Sequence, residues 1–236
     1  MPLLNNNLND ISLSNFLNGN GSCNKIESVL PKARKIIAIG DIHGDIVALQ
    51  HALEKANVIN NNGVWIAGDT IIVQVGDVLD RGGRGQNIPT NNNLEEVSIF
   101  NYLYELNKKA NNSGGRVISL IGNHELMNVL GDFRYASNNH IEGLGGYHNR
   151  KILFRPGGKM AKKLACNSLG IVVIGDWIFV HGGLLPNHIE YIAKSIKNRK
   201  FMTNTNNPLK QYIYQINNLV KGILLGNIKI HDISPE

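Results

Sequence analysis

Val73-Gln74-Val75-Gly76-Asp77-Val78-Leu79-Asp80-Arg81-Gly82 is the stretch on which the fold turns. The apolar run Thr70-Ile71-Ile72-Val73-Gln74-Val75 ends in a glycine and then delivers two carboxylates and a guanidinium. That is a strand presenting chemistry on the loop at its end, where an α/β protein places its ligands. Two further apolar runs finish the same way. Lys35-Ile36-Ile37-Ala38-Ile39 leads into Gly40-Asp41-Ile42-His43-Gly44, and Val117-Ile118-Ser119-Leu120-Ile121 leads into Gly122-Asn123-His124-Glu125. A fourth, Trp177-Ile178-Phe179-Val180, leads into His181-Gly182-Gly183. Strands that are neighbours in one sheet would bring these ends together.

Around these segments the pattern is αβ in character. Ile46-Val47-Ala48-Leu49-Gln50-His51-Ala52-Leu53 has helical spacing and completes a β-loop-α unit with the first strand. Val64-Trp65-Ile66-Ala67 and the run from Thr70 flank Gly68-Asp69, which reads as a tight hairpin; Gly175-Asp176 reads the same way between Ile171-Val172-Val173-Ile174 and Trp177-Ile178-Phe179-Val180. Residues 94–110 have helical periodicity and stop at Asn111-Asn112-Ser113-Gly114-Gly115, and the tail from Pro186 to Lys221 is mainly helical. Residues 126–168 mix helix-like pieces with Gly-rich breaks, as an insertion or lid within a catalytic domain spanning 34–236. Residues 1–33 form an Asn-, Gly- and Ser-rich lead-in. Trp65 and Trp177 are expected in the core.

The chain has 236 residues, 42% of them hydrophobic, and a formal charge of +6. No dense basic tract accompanies that charge; the nearest is Lys159-Met160-Ala161-Lys162-Lys163, so it is a diffuse bias toward anionic substrates and nucleic acid is not an expected partner. Cys23 and Cys166 offer no disulfide framework and no CxxC spacing, which favours a reducing compartment. With no span-length apolar stretch and no signal-peptide pattern, the expectation is a soluble, cytoplasmic protein without a membrane partner.

Asp41 and His43 lie two apart, so in an extended segment both side chains project to one side, as a divalent metal requires; the alternative is an Asp capping the next helix beside a surface His43. Asp77 is placed to be a carboxylate shared by two metals, with the amide of Asn123 and the imidazole of His181 completing the set. Arg81 has the fork for two phosphate oxygens, its alternative being a surface salt bridge. His124 would point away from the metals and protonate a leaving alkoxide, with Asp80 orienting the ring. Glu125 is a supporting carboxylate or a helix N-terminal charge. Arg84 is the best of the secondary cations, Arg134 and Arg155 read as surface residues, and His140 and His148 as exposed loop residues.

Gly-Asp-x-His-Gly, Gly-Asp-x-x-Asp-Arg-Gly, Gly-Asn-His-Glu and a later His-Gly-Gly, in that order over residues 35–186, resemble the signature of the phosphoprotein phosphatase family. The wording around Asp77, Asn123 and His181 looks most like its Shewanella-like, bacterial-type branch. The resemblance implies an α/β calcineurin-like metallophosphoesterase fold, a β-sandwich flanked by helices. It implies two divalent ions (manganese, iron or zinc) and attack of a metal-bridging hydroxide on the phosphomonoester of a phosphorylated protein. One metal would take Asp41, His43 and Asp77, the other Asp77, Asn123 and His181; Arg81 and Asn123 would hold the phosphate, and His124 with Asp80 would be the acid pair. The family also expects a second histidine and a further arginine after His-Gly-Gly. No Gly-His-Thr-like motif follows, and His231 is the candidate that remains, so the fold is expected to be C-terminally incomplete, with a weak second metal site and an uncovered sheet edge. A dinucleotide-polyphosphate hydrolase and a non-hydrolysing phosphate-binding form are the competing functions, and the choice among phosphoserine, phosphothreonine and phosphotyrosine stays open.

Overall fold

The computed structural model describes Cys23 and residues 26–82, 93–198 and 207–230; Arg84, His231 and most of the lead-in lie outside the described residues. Its elements are β1 (Val29–Leu30), β2 (Ile36–Ile39), α1 (Ile46–Lys55), β3 (Ile71–Gln74), α2 (Glu95–Asn111), β4 (Arg116–Leu120), α3 (Asn123–Val129), α4 (Asn138–Gly143), α5 (Gly146–Phe154), α6 (Lys159–Asn167), β5 (Ser168–Leu169), β6 (Ile171–Ile174), β7 (Trp177–Val180), α7 (Pro186–Asn198) and α8 (Pro208–Leu225).

Two sheets stack. One has the order β2-β3-β4-β5 with every pairing parallel; the other has the order β1-β6-β7. Strand alternation assigns each face of the first sheet. Ile72 and Val117 face the cluster built by Ile46, Leu49 and Leu53 of α1 and Ile99, Leu103 and Leu106 of α2. The alternate positions Ile71, Val73, Ile118 and Leu120 face the other sheet, where Leu30, Val172 and Ile174 meet them. A third cluster, from Leu79 and Val97 to Phe133, Phe154, Met160 and Leu164, packs helices α3, α5 and α6 beside the first sheet.

The hairpin expected across Gly68-Asp69 does not form. β3 is flanked on both edges by parallel partners, β2 and β4, so no edge remains for residues 64–67; Trp65 makes only an isolated antiparallel bridge to Ile59. The turn instead launches β3, with Thr70 N–H and Oγ1 donating to the Ala67 carbonyl. The second expected hairpin is present as β6 and β7.

Trp65 is buried, but Trp177 is 66% exposed. It stands on β7, which among the described residues pairs with β6 alone, so Trp177 and Ile178 lie on an open sheet edge. The cysteine expectation also fails: Cys23 and Cys166 are joined in a disulfide, Cys23 lying against the end of α6 so that spatial proximity replaces sequence distance. The cysteines therefore give no support to a reducing compartment. No described helix is long and apolar enough to cross a membrane.

Candidate active site

The loops after β2, β3 and β4 are cross-linked before any side chain is considered. The Asp77 carbonyl accepts the Ile42 and His43 amides at 2.9 and 3.0 Å, and Val78 O accepts Gly44 N–H at 2.7 Å. Three residues here adopt a positive φ despite carrying a Cβ: His43 (46°), Asp77 (55°) and Asp80 (72°). Such backbone costs about 1–3 kcal/mol per residue and persists where the surroundings over-determine it. Glu125 does much of that. Its buried carboxylate accepts N–H bonds from Asp77 (2.9 Å), Val78 (2.9 Å), Leu79 (3.1 Å) and Gly122 (2.8 Å), clamping the β3 loop to the start of α3. Burial pushes its carboxyl up, with the Asp77 charge adding, while these amides oppose the rise.

Within this frame Asp77, only 3% exposed, belongs to two groups whose ligand atoms all lie within 4.8 Å of one another: Asp41, Asp77 and His181, and His43, Asp77 and His124. His43 Nδ1 faces the Leu79 carbonyl at 2.9 Å and His181 Nδ1 faces that of Val75 at 2.9 Å. A carbonyl only accepts, so each Nδ1 carries a proton, and in the neutral ring each Nε2 then presents a lone pair. His181 Nε2 lies 3.2 Å from Asp77 Oδ2 and 2.8 Å from Asn123 Oδ1, whose amide nitrogen is directed at Met127 Sδ. His43 Nε2 lies 3.8 Å from Asp41 Oδ2. Acceptors converging on acceptors repel unless a cation sits among them, so the donor set fits divalent metal ions. Asp41, His43, Asp77, Asn123 and His181 are thus brought to one place, and His124, expected to point away from the metals, lies with His43 and Asp77 instead. The reason expected for the first pair is corrected: the segment turns at His43, so the pairing comes from a loop and not from an extended strand. The helix cap is Asp45, whose Oδ1 accepts Ala48 N–H at 2.9 Å, which removes Asp41 from that role.

Beside the metal-fitting groups opens a cavity of 260 Å³ lined by Ile42, His43, Asp45, Ala48, Asp80, Arg81, Gly82, His124 and Tyr135. Arg81 is largely enclosed and binds Asp45 Oδ2 at 2.8 Å, so it is not a surface residue. Burial would raise the Asp45 carboxyl, yet the Ala48 amide and Arg81 hold it below the ordinary range. His124 Nδ1 meets Asp80 Oδ2 at 2.9 Å with both side chains buried, and Tyr135 packs edge-on against the His124 ring. Burial and the Glu96 charge push the Asp80 carboxyl up; Asn128, Arg150 and His124 oppose them.

Sequence reading overlooked the supports of this dyad: Glu96, which accepts the Asp80 amide at 2.8 Å, Asn128, which donates to both Asp80 oxygens, and Arg150. Their signal is tertiary, apart from the acidic pair Glu95-Glu96 opening α2. His140, expected on an exposed loop, is 1% exposed, because α4 folds it onto Glu95 and Glu96. Arg134 is exposed and pairs with Asp132, and Arg155 is exposed, as expected; His148 is exposed too, but on helix α5 and not on a loop.

The calcineurin-like phosphoesterase family model matches residues 34–230. The chain belongs to the calcineurin-like phosphoesterase family. Within it, the chain is similar to Shewanella-like protein phosphatase 2 of Arabidopsis thaliana, 33% identical over 70% of this chain and 50% of that protein. It is also similar to Shewanella-like protein phosphatase 1 of Plasmodium berghei, 35% identical over 77% of this chain and 48% of that one. The chain spans about half the length of these relatives. Its fold matches the crystal structure of a cold-active protein-tyrosine phosphatase from a psychrophilic Shewanella species, with a TM-score of 0.62 at 23% identity over 86% of this chain and 52% of that one. The family implies divalent metals, which the acceptor geometry around Asp77 accommodates.

Proposed function

We propose that this chain is a metal-dependent phosphomonoesterase acting on phosphorylated proteins. The observation that carries the reading is the convergence of carboxylate, imidazole and amide acceptors on Asp77, within reach of a cavity that holds Arg81 and the His124–Asp80 pair. Asp41, His43 and Asp77 would hold one ion, and Asp77, Asn123 and His181 the other. Bound there, manganese, iron or zinc supplies Lewis acidity toward phosphoryl oxygens and a nucleophile at neutral pH.

The chain's own residues supply the rest. Arg81, poised by Asp45, turns its fork to two phosphate oxygens, and the amide of Asn123 is the neutral partner on the opposite side. His124 keeps its Nδ1 proton on Asp80, so the proton it exchanges is at Nε2, the atom facing the cavity, where it goes to the leaving oxygen. Ile42, Ala48 and the Tyr135 ring give the cavity an apolar wall for the side chain that bears the phosphate.

The test is turnover of p-nitrophenyl phosphate and of phosphopeptides with added manganese, before and after chelation, together with Asp77→Asn. Restoration by metal and loss in the variant support the reading. Activity indifferent to both refutes it, faster turnover of a dinucleotide polyphosphate reassigns the substrate, and tight phosphopeptide binding without turnover turns the site into a recognition module.

A further inference from the structure

We infer that Arg150 is a positioning residue for the acid pair: through Asn128 and Asp80 it dictates which nitrogen of His124 faces the cavity. The inference rests on the phosphomonoesterase reading and assigns a role to a residue of α5 that is not itself a metal ligand or part of the cavity lining and reaches the site through Asp80.

Arg150 is fully buried, with its guanidinium over the rings of Phe154 (5.1 Å) and Phe133 (5.6 Å). Each of its three nitrogens is committed. Nε donates to Asn128 Oδ1 at 2.9 Å, Nη1 to Glu96 Oε2 at 2.9 Å and Nη2 to Asp80 Oδ1 at 3.2 Å. A guanidinium has no acceptor, so polarity propagates outward from it. Asn128 must turn its oxygen toward Arg150, which leaves its NH₂ to donate to Asp80 at 2.9 and 3.0 Å and to the His124 carbonyl at 3.0 Å. The Asp80 carboxylate then only accepts, and its Oδ2 meets His124 Nδ1 at 2.9 Å, so Nδ1 must be the protonated nitrogen. Nε2 is left toward the site, 4.0 Å from Asp77 Oδ2. Glu96 fixes the other end: one oxygen holds Arg150, and the second accepts the Asp80 amide at 2.8 Å and lies 3.2 Å from His140 Nδ1. The donors run outward from Arg150 through Asn128 to the Asp80 carboxylate, which accepts from the ring on its other side, and the proton-exchanging face of His124 is thereby chosen.

The experiment has two arms. In wild-type protein labelled with ¹⁵N-histidine, at a pH where the ring is neutral, long-range ¹H–¹⁵N correlation should show His124 protonated at Nδ1. An Nε2–H tautomer in wild-type protein overturns the inference, and this readout does not depend on turnover, so it fails separately from the proposed function. The second arm compares wild type with Arg150→Met and with the charge-balanced Arg150→Met/Glu96→Gln, which avoids stranding a buried carboxylate should the single variant not fold. Phosphate esters of graded leaving-group basicity are the probes. Misplacing a general acid costs about 10²-fold for poor leaving groups. The expected result is a kcat loss of that order on phenyl phosphate, a loss of a few-fold or less on 2,4-dinitrophenyl phosphate, and little change in KM. A purely structural role would lower all substrates in parallel; parallel loss, or no loss, overturns the inference.

Discussion

Gly122→Ala isolates the role of the crossing between the β3 and β4 loops. Gly122 has φ −98°, which any residue adopts, so its need is for room and not for conformational freedom. A Cβ there would overlap Asp77 Oδ1, and would stand 2.5 Å from Asp77 N and 2.9 Å from Asp77 Cγ, where ordinary contact starts near 3.4 Å. The Asp77 backbone must therefore retreat by 3.4 minus 2.5, about 0.9 Å, and the carboxylate moves with it. Two consequences separate in size. Overpacking of this kind destabilises by about 1–3 kcal/mol, a Tm loss of roughly 2–10 °C in a chain of this length. A displacement of about 1 Å at the carboxylate common to both metal groups costs about 100-fold in kcat, or about 2.7 kcal/mol of barrier. Steady-state hydrolysis of p-nitrophenyl phosphate at saturating manganese, run beside differential scanning fluorimetry, reads both. Gly40→Ala is the control, since a Cβ at Gly40 meets nothing within 4 Å. If Gly122→Ala retained activity within twofold of wild type, or fell no further than Gly40→Ala, the steric argument would be refuted.

Three further outcomes are expected. Asp45→Asn keeps the cap on α1 but removes the carboxylate that competes with phosphate for Arg81; a solvent-accessible pair of this kind is worth on the order of 1 kcal/mol, so KM should fall by up to about fivefold with kcat unchanged, measured by initial rates. Burial would raise the Glu96 carboxyl, but Arg150 and His140 hold it well below its ordinary value of 4.5. Because the unfolded chain takes up that proton first, the Glu96 contribution is complete above about pH 4.5 and drains away as pH falls. The raised Asp80 works in the opposite sense, losing stability as pH rises past its ordinary 3.8. The Tm gap between wild type and Glu96→Gln should thus shrink between about pH 5 and pH 3; a gap independent of pH would remove the charge from the account. Finally, the Cys23–Cys166 disulfide closes a loop of sequence separation 143, worth up to about 5 kcal/mol on the chain-entropy account. Denatured, unreduced protein should show no alkylatable thiol, and reduction should lower Tm.

What was legible in the sequence is local chemistry at the ends of apolar runs. Asp41, Asp77 and Asn123 each follow a glycine that follows a strand, and the sheet order β2-β3-β4 then carries them together without further information. What escaped depends on partners distant in sequence. Val64 to Ala67 had the composition of a strand, but β3 already had both edges paired. Trp177 looked like core because its flanks are apolar, and nothing local says that its strand is an edge. Arg150 and His140 lie among polar helix residues, where one cation or imidazole carries no local mark; they become legible only when α4 and α5 are folded onto Glu96.

The central claim is that Asp77 is shared by two cation sites. Anomalous diffraction from crystals grown with manganese tests it most directly. The account requires density on both flanks of the Asp77 carboxylate, one peak within coordination distance of Asp41 and His43 and the other of Asn123 and His181, with both abolished in Asp77→Asn. Manganese that binds elsewhere, or that keeps its position when Asp77 is replaced, would contradict it.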